Sequence, residues 1–321
     1  MTIGLVQQLA LTVCHFGPGC TSFPMKNHLV PVHFAVQSKM AANDVAPTRT
    51  KIENVLLRCV SEINTRKLEQ RRIVFEDLLL PTIKQEEFSQ YGLKALVKII
   101  TATLYTYNDN YSKSLVLAAL KTTMKYHSKA STESLVNMLS NITKGINPDQ
   151  SIPTSLLPPL KWSCLVVMYG FKNPDDRQGG VWKKLVHSQC SLIAVVSTGC
   201  KKVQLSATKS FHNLLKNNPE VVSSYFEAIF SVPSSPVYLR VVSQLMAFCA
   251  EIKNFQTLEK YKKNMIDLYV NTIFMGKVKQ KTSYLKASST FLQQITHEDF
   301  KEIILPAVQK SLLRNPELVI E

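Results

Sequence analysis

The sequence predicts an all-α protein in which helical hairpins repeat along the chain. From residue 48 onward, apolar residues recur at intervals of three and four, and no segment shows the strict alternation typical of a half-buried strand. Thirteen helices with a mean length of about 15 residues fit this pattern, and the connections between them are short. They form about six hairpins of ~40–45 residues each, which is the period of HEAT and armadillo repeats. The predicted fold is therefore a HEAT/armadillo-like α-solenoid.

Apolar positions and helix-boundary signals place these helices in order. Thr296 followed by Asp299 has the spacing of a capping box, which stabilises the start of a helix. Four glycines follow apolar runs, where a helix-ending glycine is expected: Gly145, Gly170, Gly199 and Gly276. The predicted helices span residues 49–63, 66–80, 86–107, 111–127, 131–143, 155–169, 178–197, 203–216, 219–230, 237–250, 255–275, 283–294 and 297–313.

Two recurrences within the chain support a repeat. Residues 214–222 (Leu-Leu-Lys-Asn-Asn-Pro-Glu-Val-Val) resemble residues 312–319 (Leu-Leu-Arg-Asn-Pro-Glu-Leu-Val), and both predict a helix end, a polar turn and a proline that starts the next helix. A Leu-Leu-Pro or Ile-Leu-Pro string ends at Pro81, Pro158 and Pro306. Pro306 lies well inside its helix and is expected to kink it, whereas Pro81 and Pro158 are expected either to kink their helices or to bound them.

Residues 1–47 are predicted to be an irregular, disordered extension that precedes a single solenoid over residues 48–321. Residues 1–39 contain no Asp or Glu and three of the ten glycines, and they sustain no helical or strand period. Residues 40–44 (Met-Ala-Ala-Asn-Asp) resemble a natural protein start. We therefore expect translation to begin at Met40, and an abundant native peptide from residues 1–39 would contradict this expectation.

Composition and motifs argue against several classes of protein. Glycine is scarce, at 10 of 321 residues, and the sequence contains no G-x-G-x-x-G string, no P-loop and no G-x-S-x-G nucleophile elbow. The acid pairs at 86–87 and 175–176 precede predicted helices, where the helix dipole explains them without catalysis. No apolar run approaches the ~20 residues of a membrane span. We therefore expect no enzymatic activity, no cofactor, no small-molecule substrate and no membrane contact.

The cysteines and histidines predict neither a disulfide scaffold nor a metal site. The seven cysteines are odd in number, no C-x-x-C occurs, and the histidines from residue 40 onward are isolated. Four cysteines lie inside apolar helical patterns, as buried free thiols do: Cys59, Cys164, Cys190 and Cys249. This usage indicates a reducing compartment. Trp162 and Trp182 also fall on apolar faces, so we expect them in the core.

The formal net charge of +15 favours a polyanionic partner modestly, because it reflects few acids (23) more than many basic residues (38). Basic clusters at predicted loops and helix starts are the best candidate sites, since a solenoid can align such loops along one edge. The alternative is a solvated surface with local ion pairs, which also fits Lys260, Lys262 and Lys263 beside Glu259 and Asp267. The candidate contacts are Arg66, Lys67, Arg71, Arg72, Lys201, Lys202, Lys277, Lys279 and Lys281.

Several strings are more specific than a generic helical repeat. They are residues 162–167 (Trp-Ser-Cys-Leu-Val-Val), 182–186 (Trp-Lys-Lys-Leu-Val) with 189–190 (Gln-Cys), 269–275 (Tyr-Val-Asn-Thr-Ile-Phe-Met) and 300–306 (Phe-Lys-Glu-Ile-Ile-Leu-Pro). Over about residues 50–321, the chain resembles the N-terminal part of the eukaryotic translational activator of the general-control kinase, a family of very large HEAT-repeat scaffolds. Residues 1–39 match nothing expected of that family.

The resemblance implies a non-enzymatic scaffold that is cytoplasmic and associated with polysomes. Members of the family bind ribosomes, including stalled or collided ones, and help activate the kinase that phosphorylates the alpha subunit of initiation factor two during amino-acid starvation. The implied partners are the ribosome, through its protein or RNA, and the kinase with its regulators. The family's elongation-factor-three-like region and kinase-recruiting domain are expected to be absent here, so the solenoid is expected to be truncated at its C-terminal end. The alternative function is a protein–protein interaction solenoid that contacts neither ribosome nor nucleic acid.

Overall fold

The computed structural model describes residues 67–85, 109–146, 153–274 and 295–314, together with positions 55, 58, 96, 97, 100 and 293. Every regular element in these ranges is helical, which confirms the predicted all-α class. The chain divides into two compact units, Met1–Thr122 and Thr123–Glu321. The predicted extension over residues 1–47 lies outside the described residues, as do most residues of the predicted helices at 49–63, 86–107 and 283–294.

In the first unit, one continuous helix runs through three segments. These are α1 (Leu68–Arg72), a π-helical segment (Ile73–Leu79) and α2 (Leu80–Gln85). Val74, Phe75, Leu79 and Ile83 form its buried side. The prediction that this helix ends at residue 80 is wrong, because Pro81 lies inside it.

The wider π turn explains how the helix accommodates this proline. Leu80, the residue before Pro81, donates its backbone N–H to the carbonyl of Phe75, five residues earlier. A proline has no N–H to donate, and its ring crowds the carbonyl four residues earlier, so Pro81 weakens the α-helical hydrogen bonds around it. The change from α to π geometry occurs where these hydrogen bonds are weakened.

The same arrangement recurs at Pro306, in the second unit. The segment consists of α10 (His297–Asp299), a π-helical turn (Phe300–Ile304) and α11 (Leu305–Arg314), and Leu305 donates its N–H to the carbonyl of Phe300. The structure therefore has a π turn just before Pro306, where a kink is expected from the sequence. Pro158 lies inside the helix Pro153–Gly170, so the alternative in which it bounds a helix is also wrong.

The remaining helices agree with the predicted ones to within two residues at nearly every end. The prediction of separate helices at 111–127 and 131–143 corresponds to one element interrupted at His127, whose φ of −132° and ψ of 32° are not helical. The helices are α3 (Asn110–Lys144), α4 (Pro153–Gly170), α5 (Gly180–Val196), α6 (Lys201–Asn217), α7 (Val221–Phe230), α8 (Pro236–Glu251) and α9 (Phe255–Ile273), with a 3-10 helix at Pro174–Arg177.

Consecutive helices from α4 to α9 pack in two layers. Alternate helices lie side by side, since α4 contacts α6, α6 contacts α8, α5 contacts α7 and α7 contacts α9. The two layers meet where α4 packs on α5, α5 on α8 and α8 on α9. Trp162 and Trp182 are fully buried between them, as predicted from the apolar pattern. This side-by-side stacking of hairpins is the local architecture of a HEAT-like α-solenoid.

Gly170 has a packing role that its predicted position at a helix end does not show. None of the described glycines has a positive φ, so Gly170 is not a left-handed cap. A Cβ at this position would clash with the side chain of Thr132 and press on Met124, both from α3. Glycine therefore allows α3 and α4 to approach closely at this point.

Candidate polyanion-binding surface

Two predicted contacts, Lys201 and Lys202, are the first two residues of α6, and both are exposed. The helix begins here because Cys200 is extended and its carbonyl accepts from the N–H groups of Val203 and Gln204. The Cys200 side chain makes no capping hydrogen bond. Since the start of a helix has a partial positive charge, two lysines at this end concentrate positive charge there.

Arg71 and Arg72, by contrast, are engaged within the first unit. The Nη1 atom of Arg71 lies 2.8 Å from Asp109 Oδ2 and also donates to Ser112 Oγ at 2.9 Å. A hydrogen bond from the backbone of Ser112, aided by the charge of Arg71, lowers the pKa of Asp109. Arg72 lies 2.8–3.6 Å from three carboxylates, those of Glu69, Glu76 and Asp77. An anionic ligand would therefore compete with four acids for these two arginines.

The other predicted contacts divide between one exposed lysine and four residues outside the described ranges. Lys67 immediately precedes α1 and is exposed. Arg66, Lys277, Lys279 and Lys281 lie outside the described residues, so their predicted role remains a prediction.

Sequence reasoning missed two lysines on α6. Lys209 and Lys216 are exposed, and with Lys202 they recur every seven residues along one helix. No Asp or Glu occurs between Lys201 and Asn217. The signal that would have found them is this spacing inside an acid-free helix, rather than a cluster of adjacent basic residues.

The opposite face of α6 is anchored in the core. The buried positions of the helix are Val203, Ala207, Phe211, Leu214 and Leu215. Phe211 meets the ring of Tyr225 edge-on at 5.6 Å, and Tyr225 meets Trp182 edge-on at 5.1 Å. Edge-to-face contacts of this kind stabilise a core beyond the area they bury. The lysine-bearing face therefore lies on a helix held by close aromatic packing.

A buried polar chain links three helices beneath this aromatic cluster. The Tyr225 hydroxyl donates to Gln189 Oε1 at 2.5 Å, and Gln189 Nε2 donates to Ser163 Oγ at 3.0 Å. All three side chains are fully buried, and burial raises the pKa of Tyr225 well above its usual value. Because every member has a partner, the chain fixes the relative positions of α4, α5 and α7.

The lysines of α9 lie in a different electrostatic setting from those of α6. Lys262 Nζ is 2.7 Å from Asp299 Oδ2, and Lys260 Nζ is 3.3 Å from Glu227 Oε1. Asp299 also closes the predicted capping box, which is confirmed by reciprocal hydrogen bonds with Thr296 at 3.0 and 3.1 Å. Burial raises the pKa of Asp299, but hydrogen bonds from Lys262 and Thr296 outweigh this effect and lower it overall.

Three of the four cysteines in the described part of the chain are buried, where a thiol is unreactive. Cys164, Cys190 and Cys249 are buried free cysteines, as predicted, whereas Cys200 is exposed. Burial raises the pKa of Cys164 to about 12 and that of Cys249 to about 11. Cys59 lies outside the described residues. Within the described ranges, no three His, Cys, Asp or Glu side chains converge as a metal site would require.

A cavity of about 410 Å³ lies between α9 and residues 295–304, and its lining is mainly aromatic and aliphatic. Its titratable side chains are Tyr269 and His297, and no Asp or Glu is among its described lining residues. No helix in the described part of the chain is long and apolar enough to cross a lipid bilayer.

Comparison with known proteins finds one family model and several relatives that are similar to the chain. A family model described as the N-terminal domain of the stalled ribosome sensor GCN1 matches residues 262–321. The stalled ribosome sensors GCN1 of Homo sapiens and Mus musculus are 31% and 32% identical to the chain over 276 residues, or 85% of its length. The predicted resemblance is confirmed. The similarity to GCN1 therefore extends over most of the chain, well beyond the segment that the family model matches.

The match covers a small part of these relatives. The chain spans about a tenth of the length of the human and mouse GCN1 proteins. Protein ILITYHIA of Arabidopsis thaliana is 25% identical over 164 residues, which is 50% of this chain and 6% of that protein. No solved structure matches the chain significantly.

Proposed function

We propose that this chain is a non-enzymatic, ribosome-associated scaffold that forms the N-terminal arm of an activator of the initiation factor two alpha kinase. The observation that supports the proposal is the 31–32% identity, over 85% of the chain, to proteins named stalled ribosome sensors. Such an arm would act in the cytoplasm, on polysomes, during amino-acid starvation. The kinase and its regulators would be partners of the whole scaffold, through regions outside the present match.

The mechanism we propose is multivalent electrostatic attachment. Lys201 and Lys202 of α6 are exposed, and the described residues offer them no ion pair. Lys67, Arg66 and the lysines at 277, 279 and 281 would add further contacts. Each such contact with a phosphate is weak, but together they make binding salt-sensitive, with log K falling by ~0.7–0.9 per engaged phosphate for each tenfold rise in salt.

The test is co-sedimentation of the full chain with purified ribosomes across a salt series. We expect the chain to pellet at low salt and to be released steeply as salt rises. Lys201→Glu with Lys202→Glu, and separately the triple change of Lys277, Lys279 and Lys281 to Glu, should lower the salt concentration of release. The matched control changes Lys183 and Lys301, exposed lysines on other helices, to Glu and should pellet normally. A wild-type chain that never pellets, even at low salt, would refute ribosome association.

One observation favours the alternative, a solenoid that binds only proteins. Ile252 and Phe255, in the turn between α8 and α9, are 42% and 57% exposed. Exposed apolar side chains at such a turn suit a protein partner better than a phosphate. This alternative predicts binding to the kinase or its regulators in solution, lost when Ile252 and Phe255 are changed to Asp, without ribosome pelleting.

A further inference from the structure

The outward face of α6 presents three evenly spaced positive charges. Lys202, Lys209 and Lys216 are separated by seven residues, which corresponds to ~10.5 Å along the helix axis for each step. Each seven-residue step drifts by only ~20° around the axis, so the three lysines lie within about 40° of one line. They are exposed and lie opposite the buried positions of the helix. We call this set the α6 lysine row.

The α6 lysine row has no acid to neutralise it in the described part of the chain. The helix itself contains no Asp or Glu, and none of the ion pairs between described residues involves these lysines. Among the described acids, Glu251 contacts α6, and its Oε1 lies 3.7 Å from Nε2 of His212 rather than beside a lysine. Four positive charges on one helix, counting Lys201, are therefore exposed and form no ion pair with the residues that the structure describes.

The composition of this face favours a phosphate backbone over a protein. Centres of protein–protein interfaces are depleted in lysine and rich in aromatic residues, whereas the exposed apolar side chain on this face is a single leucine, Leu205, at 53% exposure. Lysine acts as a point charge toward phosphate and needs no fixed bidentate geometry. A row of flexible point charges at regular spacing suits a regularly spaced row of phosphates, bound without reading sequence.

We propose that the α6 lysine row binds the phosphate backbone of RNA. This inference rests on the proposed ribosome association and identifies the face and the ligand chemistry that would serve it. Three engaged phosphates give a slope of log K against log salt of roughly −2 to −3. The row positions the chain on RNA and confers no base specificity.

The experiment uses the full chain and a fluorescein-labelled 20-base-pair RNA hairpin in anisotropy titrations from low to moderate salt. The test variant changes Lys202, Lys209 and Lys216 to Glu. The matched control changes Lys183, Lys263 and Lys301 to Glu, because these lysines are exposed on three other helical elements and the net-charge change is identical. We expect at least a tenfold loss of affinity and a shallower salt slope for the test variant, and less than a threefold loss for the control.

Two results would overturn the inference. Equal losses in both variants would show that RNA responds only to net charge, and no loss in the test variant would show that the row is not used. A Gln version of the same three positions guards against misfolding, since it should also weaken RNA binding while circular dichroism and melting stay unchanged. Tighter binding of labelled polyglutamate than of RNA by the wild type would assign the row to an acidic protein instead, and would also overturn the inference.

Ribosome co-sedimentation of the same variants separates the two proposals. If the wild type and the test variant pellet equally, ribosome association stands and the role of the α6 lysine row is wrong. If the wild type fails to pellet but RNA binding still requires the row, ribosome association is wrong and the RNA-binding face stands.

Discussion

Helices α6 and α9 both bear several lysines, yet the two sets have opposite relations to the rest of the molecule. On α9, Lys262 and Lys260 lie within 3.3 Å of carboxylates from other helices, Asp299 and Glu227. On α6, the lysines have no acidic partner among the described residues. A lysine that faces a carboxylate is neutralised locally, whereas a lysine without an acidic partner remains available to an anionic ligand. A count of basic residues alone does not distinguish the two cases.

The largest expected effect concerns the two faces of α6 itself. Phe211→Ala should lower the free energy of unfolding by about 3–5 kcal/mol, because it leaves a cavity beside Tyr225. Leu205→Ala, on the exposed face, should change it by less than about 0.5 kcal/mol. Urea denaturation followed by circular dichroism measures both. Similar losses at the two positions would mean that the outward face of α6 is not a free surface.

The direct test of the comparison is charge reversal on each helix. Lys262→Glu should lower the free energy of unfolding by about 1–3 kcal/mol, because it removes a partly buried ion pair and places a third carboxylate beside Asp299 and Glu259. Lys209→Glu should change the free energy of unfolding by less than about 0.5 kcal/mol. Urea denaturation of the two variants at the same salt concentration gives both values. Equal values would show that the pairing on α9 has no energetic significance.

The pH dependence supplies an independent check on the α9 pair. The pKa of Asp299 is lowered in the folded chain, so its contribution to stability is complete above its ordinary value of 3.8 and is lost as pH falls through the lower folded pKa. Asp299→Asn should therefore weaken the dependence of the free energy of unfolding on pH below about 3.8, as measured by urea denaturation at a series of pH values. A profile identical to that of the wild type would contradict the pair.

A smaller effect, of opposite sign at the two ends of α6, is expected from the helix dipole. Changing Lys201 and Lys202 to Glu should raise stability by about 1 kcal/mol, because acids are favourable and lysines unfavourable at a helix start. Lys216→Glu, in the last turn, should lower it by about 0.5 kcal/mol. Thermal melts at low salt measure both. If the first variant melts higher yet releases from RNA or ribosomes earlier, the chain keeps these lysines at a cost in stability.

The smallest expected effect uses the exposed thiol beside the same lysines. Among the four described cysteines, Cys200 should react with a maleimide quickly, and the three buried thiols only after unfolding. Peptide mapping by mass spectrometry assigns each site. Bound RNA should slow the labelling of Cys200 several-fold in the wild type but not in the variant with Glu at 202, 209 and 216. Unchanged labelling of the wild type in the presence of RNA would place the RNA elsewhere.

Local patterns were sufficient to predict most of the fold. The spacing of apolar residues places Trp162 and Trp182 in the core, and the Thr296–Asp299 spacing gives the capping box, because both depend on neighbours within one or two helical turns. The break near His127 also follows from the pattern. The continuation of the helix through Pro81 does not follow from the pattern. The π turn before Pro81 changes which backbone groups are hydrogen-bonded, and no marked change in amino-acid composition accompanies it.

The candidate surface was predicted less completely, for a physical reason. Whether a lysine or arginine is neutralised depends on residues far away in sequence: Lys262 meets Asp299, and Arg71 meets Asp109. Basic residues that are adjacent in sequence are therefore predicted as contacts whether or not an acid neutralises them, as Arg71 and Lys202 are, whereas the separated residues Lys209 and Lys216 are missed. Only the packing of helices shows which charges face acids and which face solvent.

The two π turns also bear on how chain length can vary among related proteins. A turn closed by an N–H that reaches back five residues holds one more residue than an α-helical turn, while the flanking segments keep their places. The segments 73–79 and 300–304 are thus where a relative can lose one residue without disturbing its neighbours. In α6 the same loss would rotate Lys216 about 100° away from Lys202. One-residue gaps in alignments should therefore cluster before Pro81 and Pro306 and be absent from the helix with the lysine row.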